Sequence, residues 1–394
     1  MQPSDVHPAV LVASVLASLA LARAAGAEPP PAVVGPDAAV TVELVPMPAV
    51  GPVRSIAGTS ARDLWILGDD ASVVHHDGAR GLTTDRGVCQ PRPKPGADAA
   101  AVTGPDLRWV VSGPRGPQVV RSAGIFDDYT PLVVGERSAA GWACTDRRAL
   151  SPQVLAHGGG TTWHVACAAP SDVYCNALTL DDPGLALDLP RVASPVTALW
   201  LGGPAAGWLA RADGTFDWNG VGWHRRGLPP GFALVWQLWQ DEDGIAWALG
   251  AARGVPWKPP ERLDRAARFV AGRWESVDLP PGFEPRVLAG TGRHTAWLLG
   301  DGVGYAWDGG TWRRATLPPA TVRAAWTAGD GSLWVGGGSP SAGPPGAEPG
   351  ATDATGAPAA PAALAAPVAE ARAVLFRIVP ARAPAAATSP GGAP

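Results

Sequence analysis

Residues Trp208 to Pro230 read WLARADGTFDWNGVGWHRRGLPP, and residues Trp297 to Pro319 read WLLGDGVGYAWDGGTWRRATLPP. Laid over each other without a gap, both place one Trp ten residues before a second, five more before a third, and five more before Leu-Pro-Pro. A third copy keeps the latter half, from Phe269 through Trp274 to Leu279-Pro280-Pro281, and its first half is interrupted by a Pro- and charge-rich insertion, Ala251 to Arg265. A fixed internal period marks a stacked or radial architecture before any single element is assigned.

Working outward, SIAGTSARDLW ending at Trp65 matches VLAGTGRHTAW ending at Trp297, with Gly58 and Gly290 each seven residues before the Trp. The same frame yields seven anchors, Trp65, Trp109, Tyr174, Trp208, Trp247, Trp297 and Trp334, spaced 44, 65, 34, 39, 50 and 37 residues apart. These spacings scatter around the roughly 40 to 50 residues of a four-stranded propeller blade. In the sixth unit, Arg286 to Ala289, Ala296 to Leu299, Gly304 to Trp307 and Thr311 to Ala315 read as strands. Glycine-rich turn chemistry separates them, and Leu-Pro-Pro ends the outer one because Pro cannot donate to a ladder. The expected fold is all-β, a seven-bladed β-propeller of four-stranded blades, with six blades as the alternative if 124–160 pairs differently.

The two ends explain closure. TVELVPMPAVGPVRSIAG, from Thr41, matches RWESVDLPPGFEPRVLAG, from Arg273, without a gap, so Thr41 to Val45 is an outer strand lacking its three inner partners. At the other end Arg323 to Thr327, Ser332 to Gly336 and Ala373 to Val379 supply three strands that lack an outer one. The N-terminal strand therefore completes the last blade and removes an open sheet edge. The Ala/Pro/Gly-rich stretch 339–372 reads as a disordered insertion within that blade, and 381–394 as a disordered tail of the 40–380 domain.

Ahead of the domain, the 13-residue apolar run Val10 to Ala22 and the small residues Ala25-Gly26-Ala27 read as a signal peptide, 1–27, followed by a Pro/Ala-rich lead-in, 28–39. Secretion or a periplasmic location follows, and no later stretch is long and apolar enough for a membrane span. Four cysteines fit an oxidising compartment: Cys167 and Cys175 flank a short turn, which would leave Cys89 with Cys144, although three connectivities are open. With 31 basic and 35 acidic residues, a net charge of -4 excludes nucleic-acid binding driven by bulk electrostatics.

The motif APSDVY before Cys175, ARDLW at Trp65 and WDGGTW from Trp307 to Trp312 resemble the repeats of secreted bacterial β-propellers, the Asp-box-like and two-component-regulator-type groups. ADGTFDW at 212–218 only approximates an Asp box. The resemblance implies a binding or assembly scaffold, and the departure argues against a sialidase-like activity.

No HExxH, Walker lysine motif or GxSxG occurs, and neither a cofactor nor a metal is expected. His75 and His76 are adjacent and point to opposite strand faces, and Asp241-Glu242-Asp243-Gly244 is ordinary turn material. Trp200, Trp236, Trp239 and Trp326 lie on first strands, where an aromatic wall facing the channel would bind a sugar or a peptide. Asp69, with Asp70, and Asp181-Asp182, Asp213, Asp301 and the PPGF segments at 229–232 and 280–283 fall on the links where propellers usually meet ligands. The expectation is a monomeric, exported, non-catalytic scaffold for a protein or cell-surface glycan. The alternative is a glycoside hydrolase or polysaccharide lyase using those carboxylates.

Overall fold

The computed structural model describes residues 34–35, 40–78, 81–89, 107–113, 116–121, 132–147, 152–158, 161–167, 175–179, 186–190, 194–203, 205–255, 260–291, 295–339 and 371–380. Residues 1–27, expected above to be a signal peptide, most of the expected insertion 339–372 and the expected tail 381–394 lie outside them. The described residues contain no helix and form seven sheets, each with four strands in antiparallel succession. The first joins Val53–Ser60, Asp63–Gly68, Val73–His76 and Leu82–Asp85, and the second Leu107–Gly113, Gly116–Arg121, Leu132–Ser138 and Gly141–Arg147. The third joins Pro152–Gly158, Thr161–Cys167, Cys175–Thr179 and Ala186–Asp188, and the fourth Val196–Gly203, Ala206–Arg211, Gly214–Trp218 and Trp223–Gly227. The fifth joins Leu234–Gln240, Ala246–Ala251, Arg265–Val270 and Arg273–Val277, and the sixth Val287–Thr291, Thr295–Gly300, Val303–Trp307 and Trp312–Thr316.

The seventh sheet draws on both ends of the domain. Thr321–Thr327, Leu333–Gly338 and Ala373–Pro380 are completed by the N-terminal Val40–Val45, which runs antiparallel to the last of them with Thr41 opposite Val379 and Val45 opposite Leu375. Arg377 ties this clasp together: it reaches Glu43 at 3.7 Å and Asp330 at 2.7 Å, and its guanidinium lies over Trp334. Within the lead-in, Val34–Gly35 pairs in parallel with Trp312 and Arg313, adding a short fifth strand to the neighbouring sheet. At the base of the insertion, Ser339 donates its amide to the Arg372 carbonyl, and the Arg372 amide returns to the Ser339 hydroxyl.

Each sheet's first strand packs on the next one's around the whole series, the seventh meeting the first; between the second and third sheets, the first strand of one meets the second strand of the other. The ring is a β-propeller built of four-stranded blades.

Indole packing explains the sequence period. Trp65, Trp163, Trp208, Trp247, Trp297 and Trp334 sit on second strands and are buried. Two anchors read from the sequence are corrected here. Trp109 lies on the first strand of its blade, and the second-strand position is held by buried Gln118, opposite Val111. In the third blade that position belongs to Trp163, opposite Ala156, whereas Tyr174 lies outside the described residues. The frame failed there because neither blade carries the full Trp pattern of the fourth and sixth.

Third- and fourth-strand aromatics then wedge against the previous blade. Trp208 meets Phe269 and Trp274 at 4.8 and 5.2 Å between ring centroids, and Trp247 meets Trp307 and Trp312 at 5.6 and 5.9 Å. Such tilted and edge-on pairs each add about 0.5–1.5 kcal/mol beyond area burial. Outer-strand indoles also donate across the blade boundary: Trp142 to Asp85, Trp223 to the Asp188 carbonyl, Trp274 to Thr215 and Trp312 to the Asp278 carbonyl, all at 2.8–2.9 Å.

The disulfide Cys89–Cys144, with Cα atoms 5.5 Å apart, ties the link after the first blade to the outer strand of the second. Cys167 and Cys175 stand as Cα partners on adjacent strands.

Gly290 shows how tightly blades approach. A Cβ there would fall 1.9 Å from Cζ2 of Trp239 in the preceding blade. Gly290→Ala is therefore expected to destabilise the ring by about 1–3 kcal/mol, read as a lowered Tm, and Trp239→Ala added to it should restore part of the loss. Equal melting of Gly290→Ala and the wild type would contradict this packing.

Candidate functional site

Up-and-down strand order puts the second-to-third-strand links, the blade-to-blade links and the starts of the first strands on one face. Two blade-to-blade links there are matching turns. Phe232 donates its amide to the Pro229 carbonyl at 3.2 Å, and Phe283 does the same to Pro280 at 3.1 Å. Gly231 and Gly282, at φ of 77° and 72°, supply the positive φ that a type II turn demands at its third position. Phe232 and Phe283, 8% and 7% exposed, pack over Gly250 and Gly300 of the blade that follows each turn and fix it there.

Beside the second turn a cavity of about 310 Å³ is lined by Phe283, Glu284, Arg286, Asp301, Tyr305 and Arg314 among others. The Tyr305 ring packs edge-on to Phe283 at 4.7 Å, giving the cavity an aromatic floor and charged walls. A larger hollow of about 590 Å³ lies along the charged insertion of the fifth blade, lined by Arg253, Glu261, Arg262, Asp264 and Arg265. Arg262 pairs with Glu284 at 3.6 Å, so the two hollows share a rim.

Of the carboxylates singled out from sequence, Asp69, Asp70, Asp213 and Asp301 lie on this face, each with partners. Asp69 accepts from Arg54 Nε at 2.7 Å and from Arg323 of the neighbouring blade. Asp301 accepts from the amide of Val322 in the next blade at 3.0 Å and faces Arg286 at 3.7 Å. Asp213 accepts from Ser194 at 2.9 Å and Arg225 at 3.2 Å. Asp70 caps its own turn through Ser72. Asp181-Asp182 lies outside the described residues.

The first-strand tryptophans divide. Trp200, Trp239 and Trp326 each stand opposite a second-strand anchor, Trp208, Trp247 and Trp334 respectively, where the first and sixth blades carry Ala57 and Ala289. Trp239 lies on Gly290 and Trp326 approaches Gly58, both in the following blade, while Trp200 folds over Gly202 of its own strand. Trp239 and Trp326 thus pack at blade boundaries, where Gly290 and Gly58 make room for their rings, whereas Trp200 rests on its own strand, and all three are half-buried. Trp236 is the exception. It is the extra residue of a bulge between Val235 and Gln237, is half-buried, and joins no ring pair or hydrogen bond among the described residues.

On the opposite face, side chains mostly fold turns. Asp241 accepts from the amides of Asp243 and Ile245, so the acidic cluster is a capped turn, and no group of metal-ligating side chains occurs among the described residues. Thr59 donates to Asp63 at 2.5 Å, and Asp63 meets His75 Nε2 at 2.9 Å, with the imidazole stacked 3.9 Å over Trp65. The hydroxyl points to the carboxylate and not to the imidazole, so the trio braces the hairpin and activates no nucleophile. His76 packs edge-on to Trp334, on the other face of the strand, as adjacency requires.

No family model and no curated protein matches the chain. Among solved structures, it is similar to YCF48 bound to D1 peptide, with a TM-score of 0.53 and 13% identity over 79% of this chain and 96% of that one. It is likewise similar to the WD40 beta propeller domain of Doa1, with a TM-score of 0.50 and 10% identity over 76% and 94%. The shared property is the fold. Among the described residues no helix is long and apolar enough to cross a membrane.

Asp308, in WDGGTW, gives a measurable pH response. Its carboxylate accepts from the Thr311 and Gly310 amides and from Arg313, which together hold its pKa down to about 2 against the opposing effect of burial. A depressed carboxyl stabilises the fold above its ordinary value near 4 and loses that contribution as the pH falls through about 2. Wild type should therefore melt above Asp308→Asn at about pH 6, with the gap closing by about pH 2. A gap unchanged across a pH series of melts would show that the charge is irrelevant.

Proposed function

We propose that the chain is an exported, non-catalytic scaffold that binds a protein or peptide on the face bearing the Pro-Pro-Gly turns. The observation that carries this reading is the cavity of about 310 Å³ between a turn pinned by Phe283 and the link holding Asp301. It lies at the lower end of the roughly 300–1,000 Å³ typical of ligand pockets and combines an aromatic floor with a few convergent polar groups. Both walls come from short, hydrogen-bonded links on a rigid ring, so little ordering entropy is lost on binding. The Cys89–Cys144 disulfide and the apolar leader support an oxidising compartment outside the cytoplasm. The likeness to a propeller solved with a bound peptide supports a peptide ligand.

The test selects random displayed peptides on the protein and then blocks one face at a time with a bulky maleimide. Attached at Glu284→Cys, beside the cavity, the label should reduce peptide capture at least ten-fold; at Glu242→Cys, on the opposite face, it should leave capture intact. No selected peptide, or equal blocking from both positions, would end this reading. Polysaccharide turnover abolished by Asp69→Asn or Asp301→Asn would replace it with a hydrolase or lyase.

A further inference from the structure

The gap-free match of Trp208–Pro230 to Trp297–Pro319 lets the fourth and sixth blades be compared residue by residue, and at one place they differ in chemistry. On the third and fourth strands, Phe216 stands opposite Arg225 in the fourth blade, and Tyr305 stands opposite Arg314 in the sixth. The link from second to third strand has two residues in each: Ala212-Asp213 between the paired Arg211 and Gly214, and Asp301-Gly302 between the paired Gly300 and Val303. In the fourth blade Asp213 neutralises the arginine, whose Nη2 donates to the carboxylate at 3.2 Å and to the Asp213 carbonyl at 2.9 Å. In the sixth, Gly302 holds that place, at a φ of 72° and with open space where a Cβ would stand. Its carbonyl accepts instead from the Leu317 amide at 3.1 Å. Asp301, one residue earlier, is taken up by the Val322 amide and by Arg286.

Arg314 is left as an exposed guanidinium with no hydrogen bond or ion pair among the described residues, and it lines the cavity of about 310 Å³ beside the Phe283 turn. Of the other charged groups in that lining, Glu284 faces Arg262 at 3.6 Å and Arg286 faces Asp301 at 3.7 Å. Residues directly opposite on neighbouring strands project to the same side of a sheet, with Cβ atoms about 4.5–5.5 Å apart, so Tyr305 and Arg314 share one wall. Tyr305 is 8% exposed, and its hydroxyl, which joins no hydrogen bond among the described residues, is not one of the polar atoms sealed from solvent. That O–H therefore opens on the cavity the residue lines. Relative to the fourth blade, the sixth has lost the carboxylate that answers its arginine and has gained a phenol in place of Phe216.

We propose that this cavity binds a carboxylate of the peptide ligand, which occupies at Arg314 and the Tyr305 hydroxyl the role that Asp213 fills for Arg225. The inference rests on the binding-face reading above and names the group that this face recognises. A guanidinium offers a carboxylate two parallel N–H donors, and hydrogen bonds to an ionised group are about twice as strong as neutral ones. A Glu or Asp side chain and a chain end carry the same group, and the same donors serve both. A uronate carries it too, but Phe283 and Tyr305 are buried and leave too little ring face for a sugar to stack on.

The test measures fluorescence polarisation of four labelled probes. They are Gly-Ser-Phe-Glu-Phe with an amidated end, its Gln counterpart with an amidated end, that Gln peptide with a free carboxyl end, and hexagalacturonate. Wild type should bind at least one of the two carboxylate peptides at least ten-fold tighter than the amidated Gln peptide and the galacturonate. The preferred one shows whether the group arrives on a side chain or at a chain end. Arg314→Gln should weaken that binding at least ten-fold, and Tyr305→Phe at least three-fold. Neither should lower Tm, since Arg314 has no bond to lose and the fourth blade already carries Phe216. Arg225→Gln, at the matching position where the carboxylate is already supplied, should leave binding intact. Equal binding of the three peptides, tighter binding of galacturonate, Arg314→Gln that binds as wild type does, or an equal loss in Arg225→Gln would overturn the assignment. If displayed peptides are still blocked by the label at Glu284→Cys in that case, the binding face stands and the carboxylate alone is removed.

Discussion

The contact on which this molecule depends is an indole wedge between blades. A second-strand Trp of one sheet sits against aromatic rings on the third and fourth strands of the next, as Trp208 does with Phe269 and Trp274 and Trp247 does with Trp307 and Trp312. A four-stranded sheet buries little apolar surface alone and gains stability chiefly by stacking on its neighbours. Trp suits that wedge because one side chain supplies a large apolar face and an N–H that reaches across the boundary, as Trp223, Trp274 and Trp312 all do. The excess of 18 Trp over 6 Phe and 3 Tyr follows from that double duty.

Once the blades are wedged, the two faces of the ring take on different work. On one, carboxylates such as Asp241 and Asp308 accept backbone amides and hold hairpins in shape. On the other, Asp69 and Asp301 accept from groups on two different blades, so their hydrogen bonds cross the ring's seams and tie neighbouring blades at the channel mouth. The clasp reinforces the same seam: Arg377 on the last third strand engages Glu43 from the N-terminal strand and Asp330 from the preceding hairpin.

Much of this was legible because it is periodic. The gap-free match of Thr41–Gly58 to Arg273–Gly290 located the clasp, since a strand with no inner partners has to be borrowed by a blade that lacks one. The Pro-Pro-Gly-Phe segments announced their turns through the φ that only Gly adopts freely. The reading failed where a blade departs from the repeat. In the second blade Gln118 replaces the anchor indole, and Trp109, one strand away, imitates it. The role of Trp239 was equally hidden, because its partner Gly290 is 51 residues further on and neither residue alone reports the other.

By itself, the order of residues determined the class of fold, the approximate strands, the borrowed outer strand and which aspartates lie in which turns. All of these depend on local spacing and on the fixed geometry of Gly and Pro. Tertiary structure alone decided that Trp239 and Trp326 rest on glycines of the following blade, and that Arg54 and Arg323 meet on Asp69. A bulge shifts a side chain from one face of a strand to another without changing composition. The partner of each group sits on a different blade, so distance along the chain carries no trace of it.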